Sequence, residues 1–341
     1  MELRRAALDR VRVLSARYDD IVPLAILRRG FGLDGDRISF GSFQNGIFRP
    51  RQCRGPAALS IVTTPPKPNR DAPYDDGVNP QTGRFVYHFR TAKSSSVEAL
   101  RAAERDNATL IAAHRLMVPL IHFHGIAPSQ YTPIAPVFVT SVDLVTRMVE
   151  VEAALPVTDA TDAGLRSPPD VRRYATREAV VRLHQHRFRF DVLRAYAGKC
   201  AVCSLREAVL LDAAHILEDR SPQGLAVVPN GISLCAIHHL AYDRNLMGIS
   251  PDGVVHIAHR LLEEVDGPML TTGLQGFHGA AILQPRRTSE RPDPERLDSL
   301  SARLEVYFSP HPSACAAACS ESASSSLISS RRRWLASNQG W

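Results

Sequence analysis

The chain has 341 residues, 44% of them hydrophobic, and a formal net charge of +6. That length allows two domains with cores of their own. No apolar run reaches the length of a membrane span and the N-terminal stretch lacks the apolar core of a signal peptide, which sets membrane and secreted classes aside. Six cysteines, most of them outside any even disulfide framework, suit a reducing cytoplasm, and the positive surplus favours a polyanionic partner.

In residues 1–30, Leu3, Ala7, Val11 and Leu14 recur at helical spacing. They predict a helix, followed by a second short one through IVPLAILRRG, together a packing appendage. Residues 31–150 change character. The runs DRISFG, NGIFRP, AALSIVTT, RFVYHF, VPLIHFHG and PVFVTSVD alternate with turns and predict strands, with one helix, VEALRAAERDNATLIAAHRL, among them. This is an α+β domain on a curved or barrel-like sheet. Its polar loop PPKPNRDAPYDDGVNPQTG is too long for a plain hairpin, which hints at function. Arg49, Arg51, Arg54, Lys67, Arg70 and Arg84 flank these loops. As a set they are candidate phosphate contacts; singly, each reads as a solvated side chain.

Residues 151–171 are small, Pro-containing and polar, and read as a linker. Residues 172–197 predict a long basic helix ended by Gly198, with Val180, Leu183, Phe190 and Leu193 or near neighbours as its apolar face. Arg172, Arg173, Arg177, Arg182, Arg187, Arg189 and Arg194 give it a cationic surface, which reads either as a phosphate track or as a solvated face. After residue 247 a strand and turns are expected, then a last helix over PDPERLDSLSARLEVYF. From Pro310 onward the Ser/Ala-rich, finally basic stretch reads as disordered, and its Cys315 and Cys319 have no partners nearby in sequence. The expected organisation is thus a helical segment at 1–30, an α+β domain at 31–150, a linker at 151–171, a domain at 172–309 led by the basic helix, and a tail at 310–341.

The densest signal runs from Cys200 to Asn245. Cys200 and Cys203 form a C-x2-C pair, and Cys235 and His238 a C-x2-H pair. Three thiolates and one imidazole fill a tetrahedral shell, so the expected occupant is a structural Zn2+ with no position left for substrate. Buried free cysteines or a redox pair are the alternatives. LLDAAHI predicts a strand with His215 near its end, SPQG a turn, VVPNGISL a second strand entered through Asn230, and CAIHHLAYDRN a helix. His239 and Asp243 are four apart, so both leave one face of that helix and can share an ion.

AAHI, PNGISL and LCAIHHLAYD, with the flanking cysteines, resemble the HNH endonuclease family and its ββα-metal fold. The resemblance implies that His215 is the general base that takes a proton from the attacking water. It implies that Asn230 orients that imidazole, and that His239 binds a divalent ion, Mg2+ or Mn2+, against the phosphate. One departure stands out. Many members carry a second metal ligand immediately before the base, where this chain has Ala214. Asp212 is near, but on a regular strand it faces away from His215, so the second ligand is assigned to Asp243. His256 and His259 lie outside the pattern and read as surface residues.

The earlier order NGIF, LSIV, YDDG, RFVYHF, DNATL, VPLIHF and QYTP resembles the SRA fold, a modified-cytosine reader related to PUA-like domains. The resemblance implies a pocket for a flipped cytosine built from Tyr74, Asp75 or Asp76, and Tyr87 or Phe89. A flipped base needs aromatic faces to stack on and an acceptor at its Watson–Crick edge. YDDG is equally a tight-turn signature. Taken together, these resemblances imply a cytoplasmic, modification-dependent restriction endonuclease acting on double-stranded DNA. Two-strand cutting by a single-site module suggests a homodimer. The rivals are an HNH endonuclease without modified-base specificity and a non-catalytic zinc-stabilised DNA-binding protein.

Overall fold

The computed structural model describes residues 2–65, 77–154, 169–218 and 224–299. The chain divides into two compact units, residues 1–187 and 188–341, and the boundary falls inside a single helix, Pro169–Ala195. The fold is mixed α+β, with a curled half-barrel sheet. Among the described residues no helix is long and apolar enough to cross a membrane.

The first unit opens with α1 (Glu2–Arg17), whose Leu3, Ala7, Val11 and Leu14 are all buried, as their spacing predicts. They join Phe31, Phe40, Val62 and Phe123 in one apolar cluster. Arg4 is buried with them. Its guanidinium donates to the carbonyls of Ala57, Ala58 and Pro119 at 2.8, 2.6 and 2.9 Å, so carbonyl oxygens replace the water it gives up. Burial still lowers its pKa.

After α1 come β1 (Val22–Pro23), the one-turn α2 (Leu24–Leu27) and the hairpin β2 (Phe31–Leu33) and β3 (Asp36–Ile38). Then follow β4 (Ile47–Phe48), β5 (Ser60–Thr63), β6 (Phe85–His88), α3 (Val97–Leu116), β7 (Leu120–Ala127), β8 (Gln130–Asp143) and β9 (Met148–Ala153). The predicted helix and α3 coincide because both ends are marked locally. Ser96 caps the N-terminus by accepting the Ala99 N–H, and Met117 turns the chain into the left-handed region at φ 47°.

The main sheet has the order β4-β5-β7-β8-β9-β6, with β1 on the start of β8. β5 and β7 run parallel; β7–β8, β8–β9 and β9–β6 are antiparallel. Alternation along β7 sends Ile121 and Phe123 to the α1 side and His122 and His124 to the other. On that second face, the rings of Phe85 and Tyr87 stand edge-on to His122 at 5.7 and 6.2 Å. The Thr63 hydroxyl is 2.8 Å from His122 Nε2. The two ends of the sheet path approach one another: a Cβ on Gly46, beside β4, would stand 2.5 Å from the Tyr87 hydroxyl of β6. Glycine at φ +84° makes that approach feasible.

Three differences from the sequence reading have local causes. β8 begins at Gln130, well before the predicted run at Pro136, because Pro133 and Pro136 argue against a central strand. Pro133 pairs in register with Phe123, and the register shift between Leu120 and His122 on β7 falls opposite Pro136. β9 continues through Ala153, three residues into the expected linker, with Val151 paired to both Phe85 and Val139. The basic helix, here α4 (Pro169–Ala195), buries Ala175, Ala179 and Leu183 in the first unit and Phe188, Val192 and Tyr196 in or just beyond it in the second, while Val180 and Phe190 are half-buried and Leu193 packs against the second unit's core. Small alanines carry the contact, which a search for large apolar residues overlooks. Part of its cationic face is structural: Arg172 pairs with Glu152 at 3.1 Å, Arg182 with Asp20 at 3.4 Å and Arg194 with Glu290 at 3.3 Å. Arg84 likewise bonds Glu150 and Glu152 at 3.0 and 2.7 Å.

The second unit is a hairpin, β10 (Leu211–His215) and β11 (Gly231–Cys235), followed by α5 (Ala236–Asp243), a second hairpin, β12 (Met247–Ile249) and β13 (Val255–Ile257), and the short helices α6 (His259–Leu262) and α7 (Pro268–Gly273). One cluster joins Val192 and Tyr196 of α4's end, Leu211, Ala214, Ile232 and Leu234 of the first hairpin, Ala241 of α5, and Met247 and Ile257 of the second hairpin. Residues 294–299 are helical. The rest of the predicted last helix, the expected linker beyond residue 154 and the tail 310–341 lie outside the described residues.

Candidate active site and metal centre

Cys200 and Cys203 sit in the turn that follows α4, Cys235 ends β11, and His238 lies in the first turn of α5. Their four ligand atoms all lie within 4.8 Å of one another. His238 Nδ1 is 3.1 Å from Cys235 Sγ and 3.5 Å from Cys200 Sγ, and Cys203 Sγ is 3.8 Å from Cys235 Sγ. His238 Nε2 is 2.9 Å from the Gly273 carbonyl of α7. A carbonyl only accepts, so Nε2 carries the proton and Nδ1 turns a lone pair to the sulfurs. A hydrogen bond between Cys200 and Cys235 lowers the first thiol and raises the second, as one sulfur taking on thiolate character does. The donor set, its tautomer and its closure fit a structural Zn2+.

His239 is the next residue, about 100° further round the same helix. Its side chain is 23% exposed and meets carboxylates in place of sulfur: Nδ1 is 3.7 Å from Asp212 Oδ2 and Nε2 is 3.6 Å from Asp243 Oδ2. Burial raises the Asp243 carboxyl; the nearby His239 opposes that, and the charge of Asp212 reinforces it. Imidazole and carboxylate oxygen with solvent access suit a hard divalent ion that keeps positions for water and phosphate.

His215 closes β10 directly opposite Gly231. Its ring stacks on Phe188 of α4 at 4.0 Å and 18°. That stack requires glycine across the ladder, since a Cβ on Gly231 would meet Val192 at 2.4 Å and Phe188 at 2.8 Å. Asn230 is fully buried. Its amide donates to the Leu217 and Leu225 carbonyls at 3.0 and 3.1 Å and its oxygen accepts the Leu217 N–H at 2.9 Å. The Asn230 carbonyl accepts the Ile216 N–H. Asn230 therefore holds the backbone on the far side of His215, two residues on.

Sequence reasoning placed Asp212 away from His215, and alternation along β10 does so. What it missed is that the opposite face meets His239, and that Phe188 and Arg189 of α4 reach this strand. Arg189 Nε is 3.2 Å from Asp212 Oδ1. No one-dimensional spacing announces these contacts, because they depend on how α4 and α5 dock on the hairpin. In the first unit Tyr87 is buried on β6, among Phe85, His122 and the end of β5. Tyr74, Asp75 and Asp76 lie outside the described residues. The described chain leaves that face at Pro65 and returns at Gly77, whose carbonyl accepts the Val86 N–H. Phe89 is buried too, with the Arg147 guanidinium 5.7 Å from its ring centre. Burial pushes His122 well below the usual imidazole range and His124 down to about 4, so both are neutral near pH 7.

A family profile described as HNH endonuclease matches residues 200–250, the stretch that contains all the residues of both sites save Arg189, Phe188 and Gly273. A solved structure described as modification dependent TagI restriction endonuclease is similar at 16% identity, over 80% of this chain and 89% of that one, with a TM-score of 0.28. No curated protein sequence matches the chain. Residues 200–250 match the HNH endonuclease family, and that match supports a metal-dependent DNA endonuclease.

Proposed function

We propose that this nuclease is a modification-dependent restriction endonuclease, in which the second unit hydrolyses DNA phosphodiesters and the first recognises modified cytosine. The observation that carries the hydrolytic half is the arrangement on one hairpin and one helix. His215 is stacked and backbone-locked at the end of β10, while His239 stands among carboxylates on α5, above a separate thiolate cluster. In this reading His215 accepts the proton of the attacking water, a step that general bases of near-neutral pKa accelerate by about 10²–10⁴-fold. Asn230 fixes the backbone that aims His215, and His239 with Asp243 holds Mg2+ or Mn2+. The bound ion supplies electrostatic stabilisation for the negative charge that grows on the leaving oxygen.

The reading half is supported by the order of sequence features along residues 31–150 and by the second face of the curled sheet, where two aromatic rings adjoin neutral, buried imidazoles. Aromatic faces and uncharged hydrogen-bonding groups are what an extruded base requires. In this reading Tyr74, Asp75 or Asp76, and Tyr87 or Phe89 would form the pocket. Double-stranded DNA is the proposed partner, cut by a homodimer in the cytoplasm.

The test is digestion of one plasmid carrying methylated, hydroxymethylated or unmodified cytosine, with Mg2+ or Mn2+, by the wild type and by His215→Ala. Cutting confined to modified plasmid and lost in His215→Ala, with DNA affinity kept, is the expected result. Equal cutting of all three substrates retires the modified-base half. Undiminished cutting by His215→Ala retires the catalytic assignment.

A further inference from the structure

The two nitrogens of His239 face different carboxylates. Asp243 sits by Nε2 at 3.6 Å on the helix's own face, and Asp212 by Nδ1 at 3.7 Å from the neighbouring strand. Asp212 and Asp243 do not close with His239 into one compact ligand set: among the described residues the group whose ligand atoms lie mutually within 4.8 Å is the Cys200, Cys203, Cys235 and His238 cluster. An imidazole binds an ion through one nitrogen and has a proton to give from the other. The residue beside the second nitrogen therefore decides which way the ring points.

Asp212 is itself anchored. Arg189 Nε is 3.2 Å from Asp212 Oδ1, which also accepts the Ala213 N–H at 2.8 Å. Arg189 is held in turn by the Leu211 carbonyl at 2.7 Å and the Ala208 carbonyl at 3.3 Å. One carboxylate oxygen is thus tied to strand and guanidinium, and the other is left toward His239. We infer that Asp212 is a positioning residue for the catalytic ion. Its Oδ2, 3.7 Å from His239 Nδ1, is placed to accept that N–H once the ring closes on the ion, which would fix the tautomer and present Nε2 together with Asp243 to the metal, while Arg189 holds Asp212 in register. The inference rests on His239 being an ion ligand. It differs from that reading in assigning Asp212 to the ring rather than to the ion.

Outer carboxylates of this kind change metal affinity by about 10–100-fold when removed. The test uses the full-length, zinc-loaded protein and titrates it with Mn2+, reading affinity by calorimetry and by the Mn2+ paramagnetic resonance signal, with zinc content and thermal midpoint as checks on folding. Asp212→Ala is expected to weaken Mn2+ binding by about 10–100-fold with zinc content unchanged. Asp212→Glu, which restores an acceptor, is expected to recover most of the loss. Asp212 is half exposed, so its replacement leaves the core intact, and Asp212→Asn gives a second variant of the same shape. Wild-type Mn2+ affinity in Asp212→Ala, with affinity lost in His239→Ala, overturns the role of Asp212 alone. Wild-type affinity in His239→Ala overturns the assignment of His239 on which it depends.

Discussion

His238 and His239 are neighbours in sequence, yet they stand in two different chemical worlds. The first is 2% exposed, faces three sulfurs, and has its outer nitrogen tied to the Gly273 carbonyl. The second reaches solvent and lies between two carboxylates. The 100° step of an α-helix is enough to point one imidazole into a soft, closed cage and the next into a hard, open cleft. The difference teaches that burial and partner type, not the residue, decide which ligands and ions a histidine can meet.

Exchanging the fates of the two residues is the strongest way to break that contrast. His238→Ala is expected to lose zinc and with it the cooperative unfolding of the second unit, since structural zinc in small modules contributes on the order of 10 kcal/mol. His239→Ala should keep both zinc and unfolding transition while cutting is lost. Elemental analysis and calorimetry on the two variants decide it; zinc retained in His238→Ala would end the distinction.

Smaller effects sharpen it. Asn230→Ala strips partners from the Leu217 N–H and from two carbonyls in a dry interior, and is expected to cost on the order of 2–3 kcal/mol in urea unfolding. Gly231→Ala drives a Cβ into Val192 and Phe188 and should cost about 1–3 kcal/mol, with the His215 ring displaced in its nuclear magnetic resonance spectrum. The smallest effect concerns the other unit. His124 is held near 4 by burial, below an unfolded value near 6.5, so between those values the unfolded chain binds more protons. Its contribution is complete above about pH 6.5 and is lost as pH falls toward 4. His124→Gln should therefore flatten the decline of the urea midpoint over that window, and an unchanged slope would mean the imidazole is not sequestered.

Much of this was legible in one dimension where the cause is local. α3 shows its cap and its stop, α1 its apolar stripe, and the C-x2-C and C-x2-H pairs their metal geometry. β8 begins before the run expected from Pro136, and this central strand keeps two prolines, Pro133 in register with Phe123 and Pro136 at a register shift. The buried face of α4 includes the expected Leu183, and alanines beside the other expected residues carry part of the rest. Asp212 was noticed but left without a role, since its partner lies on a helix whose docking angle no periodicity encodes.

The Gly273 carbonyl carries a practical consequence. The His238 imidazole is oriented from a helix that lies well past residue 250, and the His215 ring rests on Phe188, upstream of the first cysteine. A fragment excised at 200–250 would leave behind both supports. Anyone transplanting this cutter onto another DNA-reading scaffold should take the cassette from before Phe188 to beyond Phe277, whose ring meets His238 edge-on at 5.3 Å.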